Sequence, residues 1–271
     1  MVFGWLRNRR RKKILAEPFP AAWLRILETN VWQYPGLTEA EQAKLRDLVR
    51  IFVAEKNWEG CGGQGMTDEV RVTVAAYACL LVLELDLDFY QHVISILVYP
   101  DEFTVPEKRV LAGEIVEESE DDRIGEAWAE GAVVLSWADA LDCGRHRGGG
   151  VNVVVHEFAH QLDVLNREFD GTPPLREPKH VPAWRRIMKT EYDLLVKQVD
   201  AGRTTLLDPC GADDSAEFFA VATETFFEKP RLLAKERPAL YGVLRQFYGQ
   251  DPAERQARQS KAWRSAQGNP Q

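Results

Sequence analysis

The stretch Val153-Val154-Val155-His156-Glu157-Phe158-Ala159-His160-Gln161-Leu162-Asp163 constrains this chain more than any other. Residues four apart on an α-helix lie one turn apart on one face, so His156 and His160 can aim two imidazoles at one point. Glu157 then stands beside that point. Val153, Val154, Val155, Phe158, Ala159 and Leu162 make the segment mostly apolar, which places the polar trio at a semi-buried surface where polar groups need partners. The pattern is H-E-x-x-H, and it suits zinc: neutral imidazole is a good ligand, and the ion keeps an open position for a water that Glu157 can deprotonate. The alternative, a helix with two surface histidines and an unrelated glutamate, fits the apolar surroundings poorly. Val151 to Val155 has the β-branched density of a strand, yet the motif requires a helix; propensity is the weaker constraint, and a helix ending near Asn166 is expected.

A catalytic zinc takes three protein ligands and a water, so a further donor is required. His180 lies in a Lys179-His180-Val181-Pro182 loop and His146 in the Gly144–Gly150 loop, where exposure is expected. The better source is Ser215-Ala216-Glu217-Phe218-Phe219-Ala220-Val221-Ala222-Thr223-Glu224-Thr225-Phe226-Phe227, a helix expected to be capped by Ser215 with its aromatics in the core. Glu217 and Glu224 are seven apart and share one face, so one can bind a metal while the other orients a ligand histidine. Spacing does not choose between them. Asp163, seven residues after His156, is either a further partner of the site or a surface aspartate at the end of the helix.

The chain has 271 residues and a net charge of −8, which leaves no excess of Lys and Arg to neutralise phosphates and argues against general nucleic-acid binding. Cys61, Cys79, Cys143 and Cys210 contain no C-x-x-C pair and read as reduced thiols. Met1 to Leu6 is too short for a signal-peptide core, and the longest apolar run, Val72 to Leu83, is too short to span a bilayer. These features predict a cytoplasmic protein without a membrane span.

Arg7, Arg9, Arg10, Arg11, Lys12 and Lys13 form the only strong charge run and predict an exposed basic tail over residues 1–13. A helical part (about residues 14–90) follows: Ala21 to Glu28, then a helix started by Thr38 with Glu39 and Glu41 that runs to about Glu55, then one capped at Thr67 that is buried on all sides from Val72 to Leu83. The glycines between the last two match no phosphate-cradling pattern, since no strand is expected before them and no G-K-[ST] follows. Val93 to Tyr99 and Ala132 to Trp137 read as strands, the acidic run Glu114 to Asp122 as a solvated strand end or loop, and residues 251–271 as a polar tail.

Several separated segments together, Val155 to Asp163, Ala216-Glu217-Phe218-Phe219-Ala220-Val221, Glu224 with Phe226-Phe227, Gly131 to Trp137 with its Leu-Ser-Trp end, and Tyr241 to Tyr248, resemble the Mlc titration factor A family of zinc metallopeptidases. The resemblance covers about residues 15 to 250. It implies an α+β, zincin-like (gluzincin) fold, similar to the catalytic domain of anthrax lethal factor, with a small mixed sheet and an active-site helix packed among N- and C-terminal helices in one catalytic domain over residues 14–250. It further implies one zinc ion held by His156, His160 and Glu217, with Glu157 as catalytic base; Glu224 and Asp163 stay candidates for supporting groups on the residue reading alone. The strand ending in Ser136 and Trp137 is then expected along a cleft for a peptide or protein substrate. The activity implied is aminopeptidase-like hydrolysis, in a cytoplasmic protein that binds the repressor Mlc and so regulates the glucose phosphotransferase system; the alternative is a non-catalytic protein that sequesters the repressor around a structural or weakly active zinc. The chain departs from the family pattern at Cys210, where the resemblance calls for a Tyr able to donate to the oxyanion, and a thiolate there would compete for the metal.

Overall fold

The computed structural model describes residues 2–101, 131–145, 149–166 and 169–266. Their order is α1 (Val2–Ala16), α2 (Ala21–Asn30), α3 (Glu39–Glu55), β1 (Asn57–Gly60), α4 (Asp68–Leu81), β2 (Ser95–Tyr99), β3 (Ala132–Ser136), α5 (Trp137–Arg145), α6 (Val153–Asp163), α7 (Val181–Asp200), α8 (Ser215–Glu228), α9 (Pro230–Glu236), α10 (Pro238–Tyr248) and α11 (Pro252–Ala266). The acidic run Glu114 to Asp122 and His146 lie outside the described residues.

Local chemistry starts the helices where the sequence predicts. Thr38 and Glu41 form a reciprocal capping box on α3, and the Thr67 hydroxyl accepts from Val70 N to start α4. Apart from Arg71, α4 is buried from Val70 onward, which is what a helix apolar on every side requires, and it forms the centre of a core that runs from Leu27 to Tyr248.

The strands form a three-stranded sheet in the order β1-β2-β3, and every described pair is parallel, with Trp58, Ile96 and Val133 in register. A mixed sheet was expected; the described pairings are of one kind. Burial alternates along β2 and β3, with Ile96, Val98, Val133 and Leu135 turned into the core. The arrangement is helix-rich and compatible with an α+β class.

Three expectations are corrected. The basic run is part of α1 rather than a free tail: Arg11 makes a two-pronged ion pair with Glu55 (both contacts 2.8 Å) and reaches Asp88, and Arg7 also pairs with Asp88. The C-terminal residues likewise form α11, where the buried Arg255 donates to Glu41 Oε1 at 2.7 Å while Glu41 Oε2 accepts from Thr38 N at 2.7 Å. One glutamate thus serves both the capping box and an ion pair. A strand, β1, does precede the glycines after residue 60, because Asn57 to Gly60 pair with β2 although they lack β-branched residues. Among the described residues Cys61, Cys79 and Cys210 are free thiols, and no helix is long and apolar enough to cross a membrane.

Candidate metal centre

Asn152 begins α6. Its backbone is extended (φ −151°, ψ 94°), and its side-chain oxygen accepts from Val155 N at 3.1 Å. The conflict at Val151 to Val155 is settled here: Val151 stays exposed outside the helix, while Val154 and Val155 are buried in the core and their packing outweighs β propensity. The helix ends at Asp163 and continues as one 3₁₀ turn to Asn166.

The histidines face one point. Their Nε2 atoms are 3.1 Å apart, and Glu217 closes a triangle, with one carboxylate oxygen 3.3 Å from His156 Nε2 and the other 3.1 Å from His160 Nε2. Ligands about 2.0–2.1 Å from a tetrahedral ion are about 3.3 Å from each other, and each of these contacts is close to that spacing, with Glu217 offering a different oxygen to each histidine. These three side chains form the only cluster among the described residues with donor atoms placed to hold a metal ion.

Glu217 and Glu224 hold opposite edges of the same ring. His156 Nδ1 donates to Glu224 Oε1 at 2.6 Å, so Nε2 is the nitrogen that faces the cluster and would lose its proton to bind a metal. Glu224 is buried and its other oxygen accepts from Asn152 N at 2.6 Å. Geometry therefore separates two carboxylates that sequence spacing left equivalent. Burial works against a charged His156, but its hydrogen bonds to Glu217 and Glu224 outweigh that and raise it to about 10. Burial acts against the charge on Glu217 too, and the two histidines override it, holding the carboxyl well below its usual range. The pocket thus attracts positive charge, and a metal ion entering it would displace a proton.

Glu157 is half-buried, and burial raises its pKa against the opposing pull of His156 and His160. Asp163 is not a surface residue. It is fully buried, which pushes it up to about 6, and its Oδ2 accepts from Gly171 N at 3.0 Å. Gly171 sits at φ +71°, and a Cβ there would come within 2.3 Å of Ser215 O, at the start of α8. Asp163 thereby holds the loop at Gly171, which packs closely against Ser215 at the start of the helix that carries Glu217.

Asp214, not Ser215, caps α8: its carboxylate accepts from Ala216 N at 2.7 Å and Glu217 N at 2.9 Å. A carboxylate is the stronger acceptor at a helix N-terminus. Phe218, Phe219, Phe226 and Phe227 are buried as expected, with Phe226 stacked on Tyr248 and Phe219 edge-on to Trp184. His180 lies away from the cluster, half-buried against Gln246. Ser136 ends β3, and its hydroxyl accepts from Asp139 N at 3.3 Å; Trp137 is the first residue of α5 rather than the last of the strand. Cys210 is exposed. Its hydrogen bond to Asp208 and its partial burial push the thiol up to about 11, which disfavours the competing thiolate.

Sequence reasoning missed Asn152 and Glu228. Asn152 was legible as an N-cap type directly before the helix; Glu228, beside Lys229-Pro230, gave no sign of burial.

The chain is similar to known proteins over most of its length. Residues 5–249 match the family model described as glucose-regulated metallo-peptidase M90. An uncharacterized protein of Synechocystis sp. is 39% identical over 250 residues, covering 92% of this chain and 90% of its own length. Proteins named Mlc titration factor A are 31% identical in Escherichia coli strain 55989, over 222 residues, and 33% identical in Klebsiella pneumoniae strain 342, over 221 residues; each match covers 81% of this chain and 83% of the relative. With its triangle of two imidazoles and a carboxylate lying inside the matched region, the chain belongs to the glucose-regulated metallopeptidase M90 family.

Proposed function

We propose that this chain is a zinc-dependent peptidase of zincin-like (gluzincin) type, with His156, His160 and Glu217 as ligands and Glu157 as general base. The observation that carries the reading is the convergence of His156 Nε2, His160 Nε2 and the two oxygens of Glu217 at contacts of 3.1–3.3 Å, backed by Glu224 on the far edge of His156. Bound zinc would supply a Lewis-acid centre able to polarise a peptide carbonyl and to lower the pKa of a water to about 7. Glu157 accepts a proton from the attacking water and returns it to the leaving amine, a role suited by a carboxyl whose pKa burial raises. Glu224 holds the His156 ring, and β3, an outer strand of the described sheet, supplies an edge for an extended peptide near Ser136 and Trp137. Aminopeptidase-type cleavage is the expected activity and the cytoplasm the expected location.

The test compares wild type and Glu157→Gln for zinc content and for cleavage of aminoacyl chromogenic substrates. Equal zinc with lost cleavage supports the roles given; full cleavage by the variant overturns Glu157 as base.

A second reading follows from the name of the relatives. A protein called Mlc titration factor A in Escherichia coli suggests that this chain also binds an Mlc-type repressor, with catalysis secondary or absent. Pull-down of purified repressor by the Glu157→Gln protein, with and without chelator, separates the two readings: retained binding with no peptidase activity in the wild type favours sequestration.

A further inference from the structure

Glu228 lies one turn beyond Glu224 on α8 and is 1% exposed. Its Oε1 accepts from Asn152 Nδ2 at 2.8 Å and from Gln33 Nε2 at 2.9 Å, and its Oε2 accepts from Trp32 Nε1 at 2.8 Å. All three donors are neutral. A buried carboxylate is costly, and an amide with a single acceptor oxygen could not serve three donors as well, so the acid here is matched to its surroundings.

The partner that matters is Asn152. Its backbone N–H donates to Glu224, its side-chain oxygen accepts from Val155 N, its carbonyl accepts from His156 N at 2.9 Å, and its amide group donates to Glu228. One residue is thus pinned by two carboxylates at the point where α6 begins. If it moves, Glu224 loses a 2.6 Å donor and the His156 ring loses the support of its Nδ1 acceptor.

We infer that Glu228 is a positioning residue of the metal centre: by fixing Asn152 it sets the start of α6, the carboxylate of Glu224 and thereby the ring of His156. The path begins outside the site, at Trp32 and Gln33 between α2 and α3, so the N-terminal helices are joined to the centre by hydrogen bonds as well as by packing. The inference rests on the metal reading proposed above.

The experiment uses the full chain and zinc itself as the probe. Glu228→Gln is expected to stay folded, to weaken zinc binding by about 10-fold or more in chelator competition, and to lower kcat with little change in KM. The double variant Asn152→Asp with Glu228→Gln restores a carboxylate–amide pair in reversed sense and is expected to recover most of the affinity, which loss of packing alone would not allow. In metal-free protein, hydrogen exchange at the Val155 and His156 amides is expected to quicken in Glu228→Gln and to slow again in the double variant. Folded Glu228→Gln with zinc affinity and kcat within twofold of wild type, or with unchanged exchange at those amides, would overturn the inference, as would a double variant no better than the single one. If wild type binds no zinc, the metal reading fails, and the exchange measurement alone decides whether Glu228 positions Asn152.

Discussion

His156 is held on both edges of its ring by one helix, with Glu224 Oε1 2.6 Å from Nδ1 and Glu217 Oε2 3.3 Å from Nε2. The two glutamates should therefore fail differently. Glu217→Ala is expected to lose zinc at any practical concentration, whereas Glu224→Gln should keep it with affinity reduced about 10- to 100-fold. Metal titration against a competing chelator checks both, and the reverse order would exchange their roles.

Replacing Glu157 by Gln keeps the shape of the site and removes its base. Zinc content should match wild type while kcat falls by about 10²- to 10⁴-fold. In wild type the acid limb of kcat/KM should lie above the usual carboxylate range, because burial raises this group. A limb near pH 4 would show that Glu157 is not the group being titrated.

Asp163 should leave a signature in stability. Its carboxyl is raised from 3.8 to about 6 by burial, so its proton is held more tightly in the folded state. The contribution is fully present below pH 3.8 and is lost as pH rises through about 6, with an upper limit of about 3 kcal/mol for a shift of roughly two pKa units. Urea unfolding of metal-free protein between pH 4 and 7 should show this slope in wild type and a flatter profile in Asp163→Asn. Identical profiles would remove Asp163 as the source.

Cys210 is raised to about 11 chiefly by its hydrogen bond to Asp208, so it should alkylate slowly at pH 7.5 despite its exposure. Cys210→Ser should bind zinc within twofold of wild type. A larger change would bring the thiol into the coordination sphere.

The N-terminal helix should contribute to stability through Arg11. Its paired contacts to Glu55, both 2.8 Å and partly shielded from water, predict a loss of about 1–2 kcal/mol in Arg11→Ala. Thermal unfolding at low and high salt checks this, and an unchanged midpoint at low salt would mean that α1 is only loosely attached.

Legibility in the sequence followed the range of the interactions. The α3 capping box and the buried run of α4 are written within a few residues, and both were readable from residue type and spacing. The same holds for the paired histidines of α6. Glu217 and Glu224 were readable as one face of a helix, but their division of labour depends on which edge of His156 each meets, a fact of three dimensions. What escaped is non-local. Arg11 finds Glu55 and Asp88 at separations of 44 and 77 residues, and Arg255 finds Glu41 at 214, so both ends of the chain resembled tails. Strand β1 exists through its pairing with β2, and Glu228 looked like any glutamate at the end of a helix.

The link from Asp163 through Gly171 to Ser215 also bears on when a cation can be acquired during synthesis. Glu217 follows His160 by 57 positions in the chain, and Gly171 packs against Ser215 at the start of the helix that carries that carboxylate. On a ribosome, the two imidazoles would emerge well before their third companion and offer only a weak two-donor grip. Under the proposed ligand set, three-donor capture waits until α8 has left the exit tunnel, when most of the chain has been synthesised.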